Sequence, residues 1–283
     1  MYDKNIGLVD CPRDAIQGIK SIIPTAKKID YINGLMATNL FDFIDFGSFV
    51  SGRAVPQMAD THAVVDGIIK NEHSKLIAII ANEQGARTGV AFDKIDYFGY
   101  PFSLSDTFQR RNTNRSMTEA FDTILACKEI VMRGQGELMV YLSMAFGNPY
   151  GDVWHPAIVL EWVDKLVDIG IRKFSVADTT AAADPARINE LFNLLYTAYP
   201  DIAWSIHLHS RVENAAAKIA AAYAAGCRIF EGAVMGYGGC PFAQDDLVGN
   251  IPTELLLRTF KSTDEDTVYD LMESFQKLLR NAV

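Results

Sequence analysis

The stretch SIHLHS, residues 205–210, sets two histidines one residue apart inside an otherwise apolar segment. Successive side chains of an extended strand point to opposite faces, so His207 and His209 share one face with Ala203 and Ser205. Trp204, Ile206 and Leu208 share the other. One face is small and polar, the other bulky and apolar. Such a strand packs its apolar face on helices and turns its histidines into a confined space. Two imidazoles on one face suit a divalent metal. Taken alone, the HxH pattern is equally that of histidines satisfied by hydrogen bonds or left exposed.

Outward from this stretch, short β-like runs alternate with helix-like runs along the whole chain. The predicted strands are NIGLVD, FDFIDF, KLIAIIA, IDYFGY, ELMVYLSMAF, RKFSVAD, WSIHLH and RIFEGAV. Amphipathic segments such as TAKKIDYINGLMATN, HPAIVLEWVDKLVDIG and ENAAAKIAAAYAAG lie between them. SMTE, residues 116–119, has the form of a capping box ahead of AFDTILACKEIVM. Gly170 and Gly226 stand where helix C-caps belong. About eight β/α units in roughly 250 residues are the arithmetic of a (β/α)8 TIM barrel. The competing doubly wound sheet loses ground because no GxGxxG follows the first strand. With no Pro/Ser-rich linker or low-complexity tract, residues 1–283 are expected to form a single TIM-barrel catalytic domain of the α/β class. The tail after Asn250 is expected to form a closing helix and a C-terminal helical extension.

In such a barrel, chemistry sits at the C-terminal ends of the strands, and polar residues collect there. The first strand runs into Arg13 and Asp14, the second ends near Asp45 and Ser48, and the seventh ends in HLHS. The eighth leads into GYGGCPFAQ. Asp14 would complete a two-histidine, one-carboxylate metal set. Arg13 is either half of a loop ion pair with Asp14 or a fixed guanidinium for a developing enolate oxygen. Cys240, after Gly236, Gly238 and Gly239, is either a packed cysteine beside a turn or a thiol on a mobile lid that transfers a proton. Cys11 reads as barrel packing, and His62, His73 and His155 as surface residues.

The 283 residues are 49% hydrophobic, ample for one large core. A formal net charge of −9 with no basic block argues against nucleic acid and anionic membranes as partners. The four cysteines, Cys11, Cys127, Cys227 and Cys240, form no CxxC pair, consistent with reduced thiols in a cytoplasmic protein. No signal-peptide pattern, membrane-spanning run or terminal address is read in the sequence.

CPRDAIQ (11–17), SFVSGRAVPQM (48–58), HLH (207–209) and GGCPFAQ…GN (238–250) together resemble 3-hydroxy-3-methylglutaryl-CoA lyase, among the metal-dependent lyase and aldolase barrels. The resemblance runs in order from about Gly7 to Asn250. FGYPFSLSDTFQRRNTNRS, SMAFGNPY and SVADTT match further family segments. It implies a barrel that cleaves a hydroxyacyl-CoA to acetyl-CoA and a keto acid. It assigns a divalent cation, Mg²⁺ or Mn²⁺ with Zn²⁺ as the alternative, to Asp14, His207, His209 and Asn250. It makes Arg13 the enolate stabiliser and Cys240 the lid thiol, with Asp45 where the family carries a catalytic glutamate. Gln17, Ser48 and Asp178 match positions lining the site. The chain departs from the family at Asp45, at Ala15 in place of glycine, at Ile19 in place of an acidic residue, and at Ser210 and Arg211 after HxH. The stretch between Cys240 and Asn250 is one residue longer.

The expected activity is retro-Claisen cleavage of 3-hydroxy-3-methylglutaryl-CoA or a close relative, with His207 or Asp45 taking the hydroxyl proton. A related aldolase or Claisen-condensing acyltransferase is the second reading, and a metal-dependent binding protein without turnover the third. The expected partners are an acyl-CoA or hydroxy-acid substrate and a second copy of the chain in a homodimer.

Overall fold

The structure, a computed structural model, describes residues 5–239 and 248–280. Eight parallel strands close into a barrel in chain order. They are β1 (Gly7–Asp10), β2 (Phe43–Ser48), β3 (Lys75–Ile79), β4 (Tyr97–Ser103), β5 (Glu137–Ser143), β6 (Lys173–Asp178), β7 (Ala203–Leu208) and β8 (Ile229–Gly232). The ring closes where β1 pairs with β8, Leu8 opposite Phe230 and Asp10 opposite Gly232. This is the (β/α)8 TIM barrel that the alternation of runs predicts.

Local chemistry accounts for the element ends. Ser116 and Glu119 close a capping box, each side chain bonded to the other's backbone N–H, at the start of the helix Met117–Val131. Gly170 and Gly226 adopt φ of 89° and 100° after the helices Pro156–Asp168 and Val212–Ala224. β5 stops at Ser143 instead of running on to Phe146, because Met144 turns to φ 59°. β4 continues to Ser103, past the predicted Tyr100. β7 ends at Leu208, so His209 lies one residue beyond the strand, in an isolated bridge with Asn250.

The alternation read from SIHLHS holds in β7. Trp204, Ile206 and Leu208 are buried in the layer between barrel and helices, Trp204 stacked on Phe174 with centroids 5.1 Å apart. Ser205 and His207 face the barrel interior, where both bond Glu231 of β8. A second, small apolar cluster of Val9, Cys11, Ile77, Ile79, Met139 and Tyr141 fills the interior. The chain then continues through the helices Thr253–Phe260 and Glu265–Leu279. The latter packs on the helix Thr25–Thr38, Phe275 meeting Tyr31 at 5.5 Å between ring centroids. Among the described residues, no helix is long and apolar enough to cross a membrane.

Candidate active site

Polar side chains converge at the C-terminal mouth of the barrel, around a cavity of about 140 Å³ lined in part by Arg13, Asp14, Gln17, Ser48, Tyr141, His207 and His209. Arg13 and Asp14 stand on a short helix, Pro12–Ile16, that begins directly after β1, where the sequence suggests a loop. Pro12 at its first position favours that start. β2 needs a device of its own, since Asp45 and Ser48 are three residues apart and a regular strand would turn them to opposite faces. A register shift between Asp45 and Gly47 re-aims the strand. Asp45 meets Arg13 while Ser48 lines the cavity.

The Arg13–Asp45 contact is a fork. Arg13 Nε lies 3.2 and 3.1 Å from the two carboxylate oxygens and one terminal nitrogen lies 2.5 Å from Oδ2. The other terminal nitrogen donates to Asp14 at 3.2 Å. A guanidinium has five N–H groups, so two remain uncommitted to these carboxylates. Asp45 is fully buried behind Arg13, and burial pushes its carboxyl up against the opposing pull of Arg13.

Acceptors set the tautomers of both histidines. His207 Nδ1 lies 3.1 Å from Glu231 Oε2, and His209 Nδ1 lies 3.0 Å from the Val248 carbonyl. A carbonyl oxygen only accepts, and the Glu231 carboxylate is held below its usual range despite burial by His207, Ser175 and Ser205. Both Nδ1 atoms therefore carry hydrogens, and both Nε2 atoms present lone pairs. Burial and the neighbouring His207 charge lower His209 to about 4, so its ring is neutral near pH 7. Burial alone would also lower His207, but the bond and charge of Glu231 outweigh it and the net shift is upward. Burial would raise Asp14, yet Arg13 and the two imidazoles hold it below the carboxylate range.

Asp14, His207 and His209 each offer a ligand atom within 4.8 Å of the others. Asn250 supplies a further test of fit. Its Nδ2 donates to Asp14 Oδ2 at 2.6 Å and to the Tyr237 carbonyl at 2.8 Å. Its Oδ1 is buried with no hydrogen-bond partner among the described residues. An orphaned buried oxygen beside a carboxylate and two imidazoles is what a hard or borderline divalent cation would satisfy. Gly238 makes the approach of the Tyr237 segment feasible: at φ 106°, a Cβ there would fall 2.6 Å from Asn250 Nδ2. A second trio, Cys11, His207 and Glu231, meets the same distance test. There, however, Glu231 already accepts from Ser175 at 2.6 Å and Ser205 at 2.5 Å. Burial pushes the Cys11 thiol well up, away from the thiolate a metal needs. That trio supports His207 from behind.

The remaining predicted residues divide. Gln17 Nε2 donates to Asp14 Oδ1 at 2.7 Å, and Ser48 lines the cavity. Asp178 does not line it. Its carboxylate turns outward to Lys218 Nζ at 2.9 Å and accepts from the Ala183 N–H. Cys240 lies outside the described residues. His62, His73 and His155 are exposed, and His155 caps the helix Pro156–Asp168. Glu231, Tyr141 and Lys218 are site-shaping residues that the sequence reading passes over. An acidic residue within the apolar run IFEGAV is the signal that points to Glu231.

A closed parallel barrel with histidines, a carboxylate and a buttressed arginine at its C-terminal mouth belongs to the class of TIM-barrel enzymes. A family model described as HMGL-like matches residues 6–279, and the chain belongs to that family, as an HMG-CoA lyase-like protein. Its relatives include the cytoplasmic 3-hydroxy-3-methylglutaryl-CoA lyase of Rattus norvegicus, 33% identical over 92% of this chain and 75% of the relative. They also include the (R)-citramalyl-CoA lyase of Chloroflexus aurantiacus, 29% identical over 94% of this chain and 86% of the relative. Among solved structures, an HMG-CoA lyase from Acinetobacter baumannii in complex with coenzyme A and 3-methylmalate superposes with a TM-score of 0.91 at 27% identity. That match covers 99% of this chain and 93% of the other.

Proposed function

We propose that the protein is a metal-dependent carbon–carbon lyase that cleaves a 3-hydroxyacyl-CoA to acetyl-CoA and a keto acid. The observation that carries this reading is the juxtaposition of the uncommitted Arg13 N–H groups with Asp14, His207 and His209 in one cavity, with Asn250 bonded to Asp14 beside them. When bound by those four residues, a divalent cation would supply Lewis acidity that lowers the pKa of the substrate hydroxyl.

The chain's own groups do the rest. His207 is committed at Nδ1 to Glu231 and at Nε2 to the cation set, so it is not free as the base. Asp45 has both oxygens on Arg13 and does not line the cavity, so the hydroxyl proton is assigned to solvent water entering the cavity. As the C2–C3 bond breaks, the hydroxyl carbon becomes the ketone of the keto acid. The electron pair moves onto the thioester as an enolate, and Arg13 meets the charged oxygen. Because Asp45 grips Arg13 at two points, the guanidinium is fixed before charge develops. Cys240 is assigned the return of a proton to the enolate carbon. Of the described residues on either side of it, Tyr237 accepts from Asn250 Nδ2 and Val248 accepts from His209 Nδ1 through their backbone carbonyls.

Two substrates fit. 3-Hydroxy-3-methylglutaryl-CoA would give acetoacetate. Citramalyl-CoA would give pyruvate, and the C. aurantiacus relative supports it. The test is acetyl-CoA release from both thioesters, with Mg²⁺ or Mn²⁺ added. Cleavage of either one supports the lyase. Binding of both without cleavage returns the protein to the non-catalytic reading.

A further inference from the structure

Among the described residues, the buried hydroxyls of Tyr31 and Tyr141 have no hydrogen-bond partner. Of these only Tyr141 lines the cavity at the barrel mouth. Tyr31 lies in the helix Thr25–Thr38. An unpaired hydroxyl in a buried wall costs stability, so its persistence calls for a use.

The fold is hollowed to seat this ring. A Cβ on Gly99, in the adjacent strand β4, would fall 2.6 Å from Tyr141 Cε2. Glycine at that position weakens a strand, and here it leaves room for the aromatic face. On its other side the Tyr141 ring stands edge-on to His207, with centroids 6.4 Å apart. The phenol is within electrostatic reach of Arg13 and Asp45. A phenol is neutral near pH 7 and has an O–H to donate.

We propose that the Tyr141 hydroxyl is a second hydrogen-bond donor to the substrate thioester oxygen, sharing with Arg13 the charge that builds there as the enolate forms. The inference rests on the reading that an acyl-CoA occupies this cavity. It makes Tyr141 a catalytic residue in the sense that it touches the reacting group. The donor pair is asymmetric, one cationic and one neutral, and both members are held in place before the reaction.

The test compares the parent protein with Tyr141→Phe, which keeps the ring and removes the oxygen. Two reactions are followed: cleavage of the two hydroxyacyl-CoA thioesters, and solvent deuterium exchange into the methyl group of acetyl-CoA, which needs only the enolate half of the site. Tyr141→Phe is expected to lower kcat by about ten- to a hundredfold in whichever reaction the parent performs. KM should change little, since the bond strengthens only as charge develops. Melting temperature should be unchanged or raised, because no partner is lost. Gly99→Ala, which crowds the ring, should show the same kcat loss with reduced stability. A parent that exchanges acetyl-CoA but cleaves neither thioester counts against the proposed substrates and leaves Tyr141 to be judged by exchange. Equal kcat for parent and Tyr141→Phe overturns the Tyr141 proposal alone. A parent inert in both reactions overturns both.

Discussion

His207 and Glu231 face each other across neighbouring strands of the barrel, Nδ1 to Oε2 at 3.1 Å, with both Glu231 oxygens engaged by interior groups. The contact points His207 Nε2 toward Asp14 and His209. A carboxylate behind an imidazole fixes its tautomer and raises its basicity, and loss of such a partner typically weakens a metal site by about 10- to 100-fold. Glu231→Leu is therefore expected to weaken Mn²⁺ binding by about that factor, measured by calorimetry. Glu231→Gln, which retains an accepting oxygen, should lose less. Unchanged affinity in Glu231→Leu would show that His207 needs no orientation from behind.

The same pair sets a pH dependence. His207 is shifted upward by Glu231 after burial has pulled it down, so near neutrality a cation competes with a proton for Nε2. His209, lowered to about 4, does not titrate in that range. Mn²⁺ affinity should fall from pH 8 to pH 6, with one proton displaced per cation. Flat affinity across that range would contradict the assignment of His207 as a ligand.

Arg13→Lys replaces a planar fork by a point charge on a flexible stem. Lysine cannot reproduce the two-point grip of Asp45 and still face the cavity. Turnover should fall by on the order of a hundredfold or more with metal content retained. Near-parental turnover would remove Arg13 from the enolate site.

How much of this was open to the sequence differs from residue to residue. His207 and His209 were legible because a period of two is a local property, and strand β7 keeps it. Arg13 and Asp14 were legible from their position after the first strand, and Asn250 only through the resemblance of its motif to the family's. Ser48 lines the cavity alongside Asp14 only because of the Asp45–Gly47 register shift, which no local pattern announces. Asp178 was matched to the site, yet it turns outward. Its partner Lys218 is 40 positions away in the chain, and an ion pair at that separation leaves no local trace. Glu231 and Tyr141 face the interior because of where β5 and β8 stand in the closed ring, and only the barrel itself reveals that.

Asp10 offers a test of stability independent of catalysis. Its Oδ1 accepts from Thr253 at 2.5 Å, while its Oδ2 is buried with no partner among the described residues. Burial raises its pKa from 3.8 to about 7. The folded protein thus keeps a proton that the unfolded chain releases at about pH 4. This contribution to stability is full below about pH 4 and is lost as pH rises through about 7. Asp10→Asn keeps an oxygen for Thr253 and removes the titration. It should be more stable than the parent at pH 8, by on the order of a few kcal/mol, and nearly equal to it at pH 4. Denaturant unfolding at the two pH values measures this, and an equal difference at both would contradict it.

The central claim is cation-dependent cleavage at the barrel mouth, and acetyl-CoA release during a Mn²⁺ titration of chelator-stripped protein tests it most directly. Parent protein should be inactive when stripped and recover turnover with one Mn²⁺ per chain, while His207→Ala should recover none at the same cation concentration. Full turnover in stripped protein, or recovery in His207→Ala matching the parent, would contradict the account.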